Sequence, residues 1–367
     1  MMVYLTTISA GKQPGFYYWD NTGVPQWEGI GGNKGWELTG NAGTDDSINF
    51  IGTTDFAPLR FRVINENAGK IDGNGSGSVF FGFKSGQNDG LYNSNAAFGN
   101  LSLFTNTSGQ ENVAIGDTSM YFNQSGSNNM AVGRSTLKAN TTGSANAAIG
   151  SYSLFSNLSG MSNTANGGFS LYSNITGNEN TAIGKSAMYG GSAGNNNVAV
   201  GFESLKVTSA DNNTAIGYKS GINNTGANNI MIGANAVAPI ATASNQMSIG
   251  NVIYGTTMTT TALGKIGIGE TAPAAKLHIS SATPATPSNT DGILIPRIDA
   301  FPLTNPTAAQ NGMMFFLTAP VSQAGFYYWD NPSTSWKGIG ANTGWGLNGN
   351  VGTLSNFIGT TNPVDVF

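Results

Sequence analysis

His278 is the only histidine in the chain, and it lies in the alternating stretch Lys276-Leu277-His278-Ile279-Ser280. A hydrolytic triad would need a serine on a sharp strand-to-helix turn and a carboxylate behind the imidazole. No nucleophile-elbow sequence is present, so a structural role is expected for His278. Gly184-Lys185-Ser186 has the ending of a phosphate-cradling loop, whose first glycine should stand five residues before the last. That position is Glu179, and Gly184 instead belongs to a repeat column. Asp72-Gly73-Asn74-Gly75-Ser76-Gly77 places oxygens at alternate positions, as at the front of a calcium loop. The twelfth position, which should be a bidentate glutamate, is Phe83, so a turn is expected there. Glu111 and Glu179 could suggest a glycosidase carboxylate pair. They share one column of a repeat, four repeats apart, about 19 Å by strand spacing. The run Phe16–Trp19 could stack on sugars, although four consecutive aromatics more often fill the core of a small β-module. The sequence therefore predicts no catalytic residue, no cofactor and no metal site. It predicts a chain that is not an enzyme.

Composition narrows the partners. Charged residues make up 9% of the 367, with 15 basic against 19 acidic and no basic cluster, so nucleic acid is excluded as an expected partner. Cysteine is absent, which removes disulfides and thiolate metal sites. No apolar run approaches the roughly 18 residues of a membrane span, so no membrane insertion is expected in this segment. The start, Met-Met-Val-Tyr-Leu-Thr-Thr, lacks a basic region followed by an apolar core, so no signal peptide is expected. Aromatics at 10% supply enough apolar material for a folded chain.

The elements that organise these residues come from a repeat. Glycines recur at Gly82, Gly99, Gly116, Gly133, Gly150, Gly167, Gly184, Gly201, Gly217, Gly233 and Gly250, at intervals of 17 that shorten twice to 16. One residue before them stand Phe81, Phe98, Ile115, Val132, Ile149, Ile183, Val200, Ile216, Ile232 and Ile249, and three before stand residues such as Val79, Val113, Met130 and Ile230. Between these columns runs alanine, in Ala97, Ala114, Ala131, Ala148, Ala165, Ala182, Ala199 and Ala215. Alternation places the bulky columns on one strand face and alanine on the other. Four residues after the glycine a second apolar column follows (Leu103, Met120, Leu137, Leu154, Leu171, Met188, Leu205), then a turn of the form Asn-x-Ser/Thr-Gly. Each coil is expected to run strand, turn, strand, turn. An isolated coil cannot offset the entropy of ordering its residues, so coils must stack, as in a β-roll or narrow β-helix. At about 4.8 Å per coil, eleven coils extend roughly 50 Å.

Both bulky columns, Ile115 and Leu103 among them, are expected to be buried. Alanine is too small to fill a core, so the stripe Ala114, Ala131, Ala148, Ala182 and Ala199 is expected near the axis of a homotrimer. The alternative is that both strand faces are internal to one narrow coil.

The ends of the chain repeat each other. Gly15-Phe16-Tyr17-Tyr18-Trp19-Asp20-Asn21 returns as Gly325-Phe326-Tyr327-Tyr328-Trp329-Asp330-Asn331, Trp27 and Trp36 return as Trp336 and Trp345, and Met1-Met2 as Met313-Met314. The expected organisation is an aromatic, glycine-rich β-module over 1–70, a β-roll over 71–255, neck-like strands and a Pro-rich linker over 256–312, and a second copy of the module over 313–367. The chain is either a window on a tandem array, the preferred reading, or a subunit whose ends arose by duplication.

The repeated Asn-Asn-x-Ala-Ile-Gly, as in Asn212–Gly217, resembles the head repeat of trimeric autotransporter adhesins. The stretch from Ser248 to Gly255, followed by Ile266-Gly267-Ile268-Gly269 and Lys276-Leu277-His278-Ile279, is similar to bacterial and phage tail-fibre-domain proteins. These resemblances imply an all-β parallel solenoid in a homotrimeric fibre, located outside the cell or on a particle exterior. They imply adhesion or the shaft of a tail fibre as its role, and a cell-surface glycan or protein as a possible receptor.

Overall fold

Three residues per coil are all that adopt extended geometry, because a glycine with a backbone closed to other residues follows at once. Gly116 has φ +133°, and a Cβ there would lie 2.4 Å from the carbonyl oxygen of Gly133 in the next coil. The computed structural model describes residues 2–7, 15–21, 25–29, 51–73, 77–90, 92–258, 264–281, 285–286 and 292–339. Its strands are β1 Met2–Leu5, β2 Gly15–Asp20, β3 Gln26–Gly29, β4 Leu59–Val63 and β5 Glu66–Ile71. Eleven three-residue strands follow, from β6 Val79–Phe81 to β16 Met247–Ile249, and then β17 Ile253–Thr256, β18 Lys265–Ile268 and β19 Leu277–Ile279. The last four are β20 Arg297–Ile298, β21 Met314–Leu317, β22 Gly325–Asp330 and β23 Ser335–Gly338. No α-helix occurs among the described residues.

The solenoid is a single 16-stranded sheet running from β4 to β19 in sequence order. From β6 to β16 every pairing is parallel and in repeat register, as in Ala114↔Ala131 and Ala131↔Ala148. The hairpin β4–β5 caps the first coil in antiparallel fashion, and β17 closes the last one the same way. The expected second strand of each coil is absent. The segment after the glycine instead alternates left-handed residues, with Thr118 at φ 53° and Met120 at φ 51°. Met120 still donates its N–H to the Thr136 carbonyl of the next coil, so this wall is also tied coil to coil. Stacking stabilises a backbone that costs about 1–2 kcal/mol per residue in isolation.

Burial reverses the expected faces. Ala97, Ala114, Ala131, Ala148, Ala182 and Ala199 have no exposed surface, while Ile115 and Ile149 are 41% exposed in the single chain. The lumen is narrow: the Leu103 column, also fully buried, fills it, and only alanine fits opposite. The stripe assigned to a trimer axis is therefore the coil's own core, and the column headed by Ile115 faces outward. The end coils make the size constraint explicit. Phe80 stands in the alanine column of the first coil, and the leucine position facing it is Gly86, where a Cβ would lie 2.5 Å from the Phe80 ring. Near the other end Met231 occupies the alanine column, with its sulfur 2.9 Å from where a Cβ of Gly221 would sit.

Two buried asparagine columns complete the interior. Asn123 donates Nδ2–H to Asn106 Oδ1 over 2.7 Å, and Asn140 to Asn123, Asn157 to Asn140 and Asn174 to Asn157 over 2.7–2.9 Å. In the second column Asn129 Oδ1 accepts from the backbone N–H and the side chain of Asn146, whose remaining amide hydrogen goes to the Gly160 carbonyl. Every amide is satisfied inside a space no wider than a side chain, which makes such a column tolerable in a core.

The contact pattern separates Met1–Ser280 from Ser281–Phe367 as two compact units. The antiparallel order β1-β2-β3 in the first and β21-β22-β23 in the second share their register: Tyr4↔Phe16 corresponds to Phe316↔Phe326, and Trp19↔Trp27 to Trp329↔Trp336. In the second unit β20 adds to β21 as a parallel edge strand. Trp36 and Trp345 lie outside the described residues.

Candidate self-association site

The outward column is longer than the roll itself. Strand register connects Phe81 to Phe98, Ile115, Val132 and Ile149, then through Asn166 to Ile183, Val200, Ile216, Ile232 and Ile249. It continues across the antiparallel strands to Ile253 and Ile268, and reaches Ile279 on β19. At the opposite end the Phe81 ring stacks on Phe98 at 5.8 Å and meets Phe61 of β4 at 5.6 Å. Sixteen strands at about 4.8 Å give this apolar line a length of roughly 70 Å. Its one polar member from a β6–β16 strand is Asn166, which is exposed between Ile149 and Ile183.

A second outward column runs on the other side of the alanines, through Val113, Met130, Val198, Ile230 and Met247. That column is interrupted by Thr164, Thr181 and Thr214, so it widens the apolar line only in places, and an exposed apolar line of this kind marks an interaction site. Each outward isoleucine is about two-fifths exposed, so covering one contributes about 1 kcal/mol. The strip acts through its length rather than through any single residue.

Charge is sparse around it. The strongest local pairing is Lys206 Nζ on Glu203 Oε1 at 2.6 Å, with Lys219 on the other oxygen at 3.7 Å. The hydrogen bond from Lys206 comes first among the causes that lower the Glu203 pKa below its ordinary value, and Lys219 adds to it. Aromatic side chains pile in register on the turn wall, where Phe155, Tyr172 and Tyr189 stack at 5.1 and 5.0 Å. Their faces are occupied by one another, so they stiffen the stack.

The residues considered for chemistry do not converge. His278 sits on β19 opposite Gly267 and accepts a hydrogen bond from the Ala274 N–H at 3.4 Å through Nδ1. Asp72 is held by Lys70 at 2.9 Å. Glu111 and Glu179 both take left-handed backbone, φ 55° and 57°, at equivalent turns and are exposed. Phe16 and Trp19 lie on opposite faces of β2, against Tyr4 and Trp27 respectively. Among the described residues no group of three His, Asp or Glu side chains could hold a metal ion, and no helix is long and apolar enough to cross a membrane. The repeat glycines from Gly82 to Gly250 all have positive φ.

The second unit also exposes apolar side chains. Leu294 is 85% and Ile293 66% exposed, beside a shallow cavity of about 230 Å³ lined by Ile293, Leu294, Ile295, Arg297, Phe316 and Phe326. The sequence places Gly292-Ile293-Leu294-Ile295 in the Pro-rich linker, and composition alone gave no sign that the run would form an exposed apolar surface.

Residues 267–352, less than a quarter of the chain, match the family model described as a phage tail like trimerisation region. Neither a curated protein nor a solved structure matches the chain. Ile268, Ile279 and the Leu294 surface fall inside the matched stretch, so the similarity to a phage tail-like trimerisation region takes in the end of the outward column and the apolar surface that follows it.

Proposed function

We propose that the chain is a shaft segment of a homotrimeric tail fibre on a particle exterior, in which the outward isoleucine column of each protomer packs against its two sister chains. The observation that carries this is the continuity of the column: it runs in register from Phe81 to Ile268 and Ile279, the last two inside the trimerisation match. A strip of this length is costly to leave in water, and a threefold arrangement covers it along the whole roll. Asn166, three copies of which would meet at one level, fixes the axial register as a lone polar residue does in coiled-coil seams. The role is mechanical. Stacked coils span distance, and the polar turn groove lined by Asn178, Glu179, Asn195 and Asp211 is left outward for attachment to a glycan or protein surface.

The test is Ile149→Asp with Ile183→Asp. Light scattering should show the trimer dissociating, while circular dichroism keeps the strand signal of the wild type, because both side chains lie outside the coil core. Loss of the strand signal, or a trimer of unchanged stability, overturns the assignment.

A further inference from the structure

The sheet of the second unit has an apolar pocket on one face and an unsupported leucine on the other. On the first face Phe316 and Phe326 stand opposite each other across β21 and β22. Ile293, Leu294, Ile295 and Arg297 complete the lining of the cavity of about 230 Å³. A dry cavity of about 150 Å³ already takes a benzene ring, so a branched aliphatic side chain fits here. The opposite face, bearing Phe315, Leu317 and Trp329, is buried under the chain's own upstream segment. The Thr318 hydroxyl donates to Asp299 at the start of that cover, and the Asn331 N–H donates to Asn311 Oδ1 at its end, over 2.9 Å. Between them the Phe301 ring meets Tyr327 at 5.0 Å and Phe315 at 5.8 Å, both edge-on. Leu303 belongs to this cover, yet its side chain is wholly exposed and adds nothing to the core beneath. Pro302 and Pro306 flank it and restrict the backbone that presents it.

We infer that Leu303 of each protomer seats in the Leu294–Phe316–Phe326 pocket of the next, and that three such contacts close a ring around the fibre axis. Leucine and pocket lie on opposite faces of one sheet, so a protomer cannot fill its own pocket with its own Leu303. For the same reason a twofold pair cannot fill both pockets at once. The contact is therefore head-to-tail, and it closes only when successive rotations complete a ring. Three is the number supplied by the homotrimeric reading above, on which this inference rests. Both Leu303 and the pocket lie within the 267–352 match. The mode differs from that of the roll, where like columns would meet at the axis. Here unlike surfaces interlock, which fixes the rotation of each protomer against its neighbours.

The experiment is disulfide trapping in the full chain, which has no cysteine of its own. Leu294→Cys combined with Leu303→Cys, under mild oxidation, should run mostly as a covalent trimer on a non-reducing gel. Each single variant should stay uncross-linked, because residue 294 meets residue 303 and never its own copy. Leu294→Cys with Val321→Cys, at a side chain that is also highly exposed, should give no covalent trimer, since a bridge needs Cα atoms within about 7 Å. The replaced side chains are exposed, so circular dichroism should match the wild type in every variant. Light scattering of the wild type separates this contact from the roll interface. If the wild type is a trimer but the 294–303 pair gives only intrachain bridges or none, or if a single variant or the Val321 pair cross-links as well, the ring contact is overturned and the roll interface stands. A monomeric wild type overturns both.

Discussion

Asn106 donates its side-chain amide to Oδ1 of Asp89 over 2.7 Å. Asp89 stands one repeat before Asn106, at the position where the next ladder asparagine would be, and the same oxygen accepts from Asn95 at 2.8 Å and Asn93 at 3.2 Å. A carboxylate accepts without needing to donate upward, so it ends both asparagine columns at the coil where no further amide exists.

Asp89→Ala should therefore leave one amide hydrogen on each of Asn95 and Asn106 without an acceptor, the other staying on the Gly109 carbonyl. A loss of about 1–3 kcal/mol is expected, the cost of orphaned buried donors. Hydrogen exchange should place it in the first two coils, with coils beyond Gly150 unaffected. Uniform loss of protection along the roll would contradict a local cap.

Ala131→Leu tests the inverted core. Ala131 is fully buried opposite Leu137, so the added volume should destabilise the coil by about 1–3 kcal/mol. Combining it with Leu137→Ala imitates the exchange of large and small residues at Phe80 and Gly86. Thermal melts of the two singles and the double should then show partial recovery in a double-mutant cycle. Additive losses would mean that the two columns do not share one space.

Asn166→Ile fills the gap in the outward column between Ile149 and Ile183. The assembly should resist dilution better than the wild type, as measured by sedimentation at decreasing concentration. It should also show misregistered species, since the lone polar layer is lost. Weaker association would remove the column from the interface.

Glu203 makes a prediction about acid. Its folded-state pKa lies below the ordinary value, first because of the hydrogen bond from Lys206. The pair thus contributes stability above the unfolded-state pKa, and that contribution fades as pH falls through the depressed folded value. Carbon-detected NMR of the Glu203 carboxyl should show a midpoint below that of a model glutamate, moving upward in Lys206→Ala. A midpoint unmoved by that substitution would assign the shift elsewhere.

Much of this architecture was legible in the sequence. The glycine period gave the coil register, because a Cβ at Gly116 would strike the next coil's backbone and no other residue fits. What alternation could not decide was which strand face points inward. Bulk suggested Ile115, but Leu103 already fills the lumen, and the deciding clue was the exchange of sizes at Phe80 with Gly86 and at Met231 near Gly221. Left-handed backbone at Leu103 and Met120 had no signature at all, since neither residue type favours it. Stacking imposes it. The outward column was visible as a pattern, whereas its extension through Ile253 to Ile279 depends on antiparallel pairings that break the period.

Register in the roll has one further consequence. Each coil bonds only to the coil before and the coil after, through identical positions, so the roll can gain or lose whole coils without disturbing what remains. Removing residues 134–150 would bring Gly133 into the place of Gly150, joining its ladders and outward column to the next coil unchanged and shortening the fibre by about 4.8 Å. A side chain brought to the place of Gly150 would instead meet the backbone of Gly167, and the roll departs from 17 residues per coil only at the two 16-residue coils ending at Gly217 and Gly233. The length of such a roll is thus written in discrete steps, and unequal recombination between near-identical repeats is enough to add or remove one.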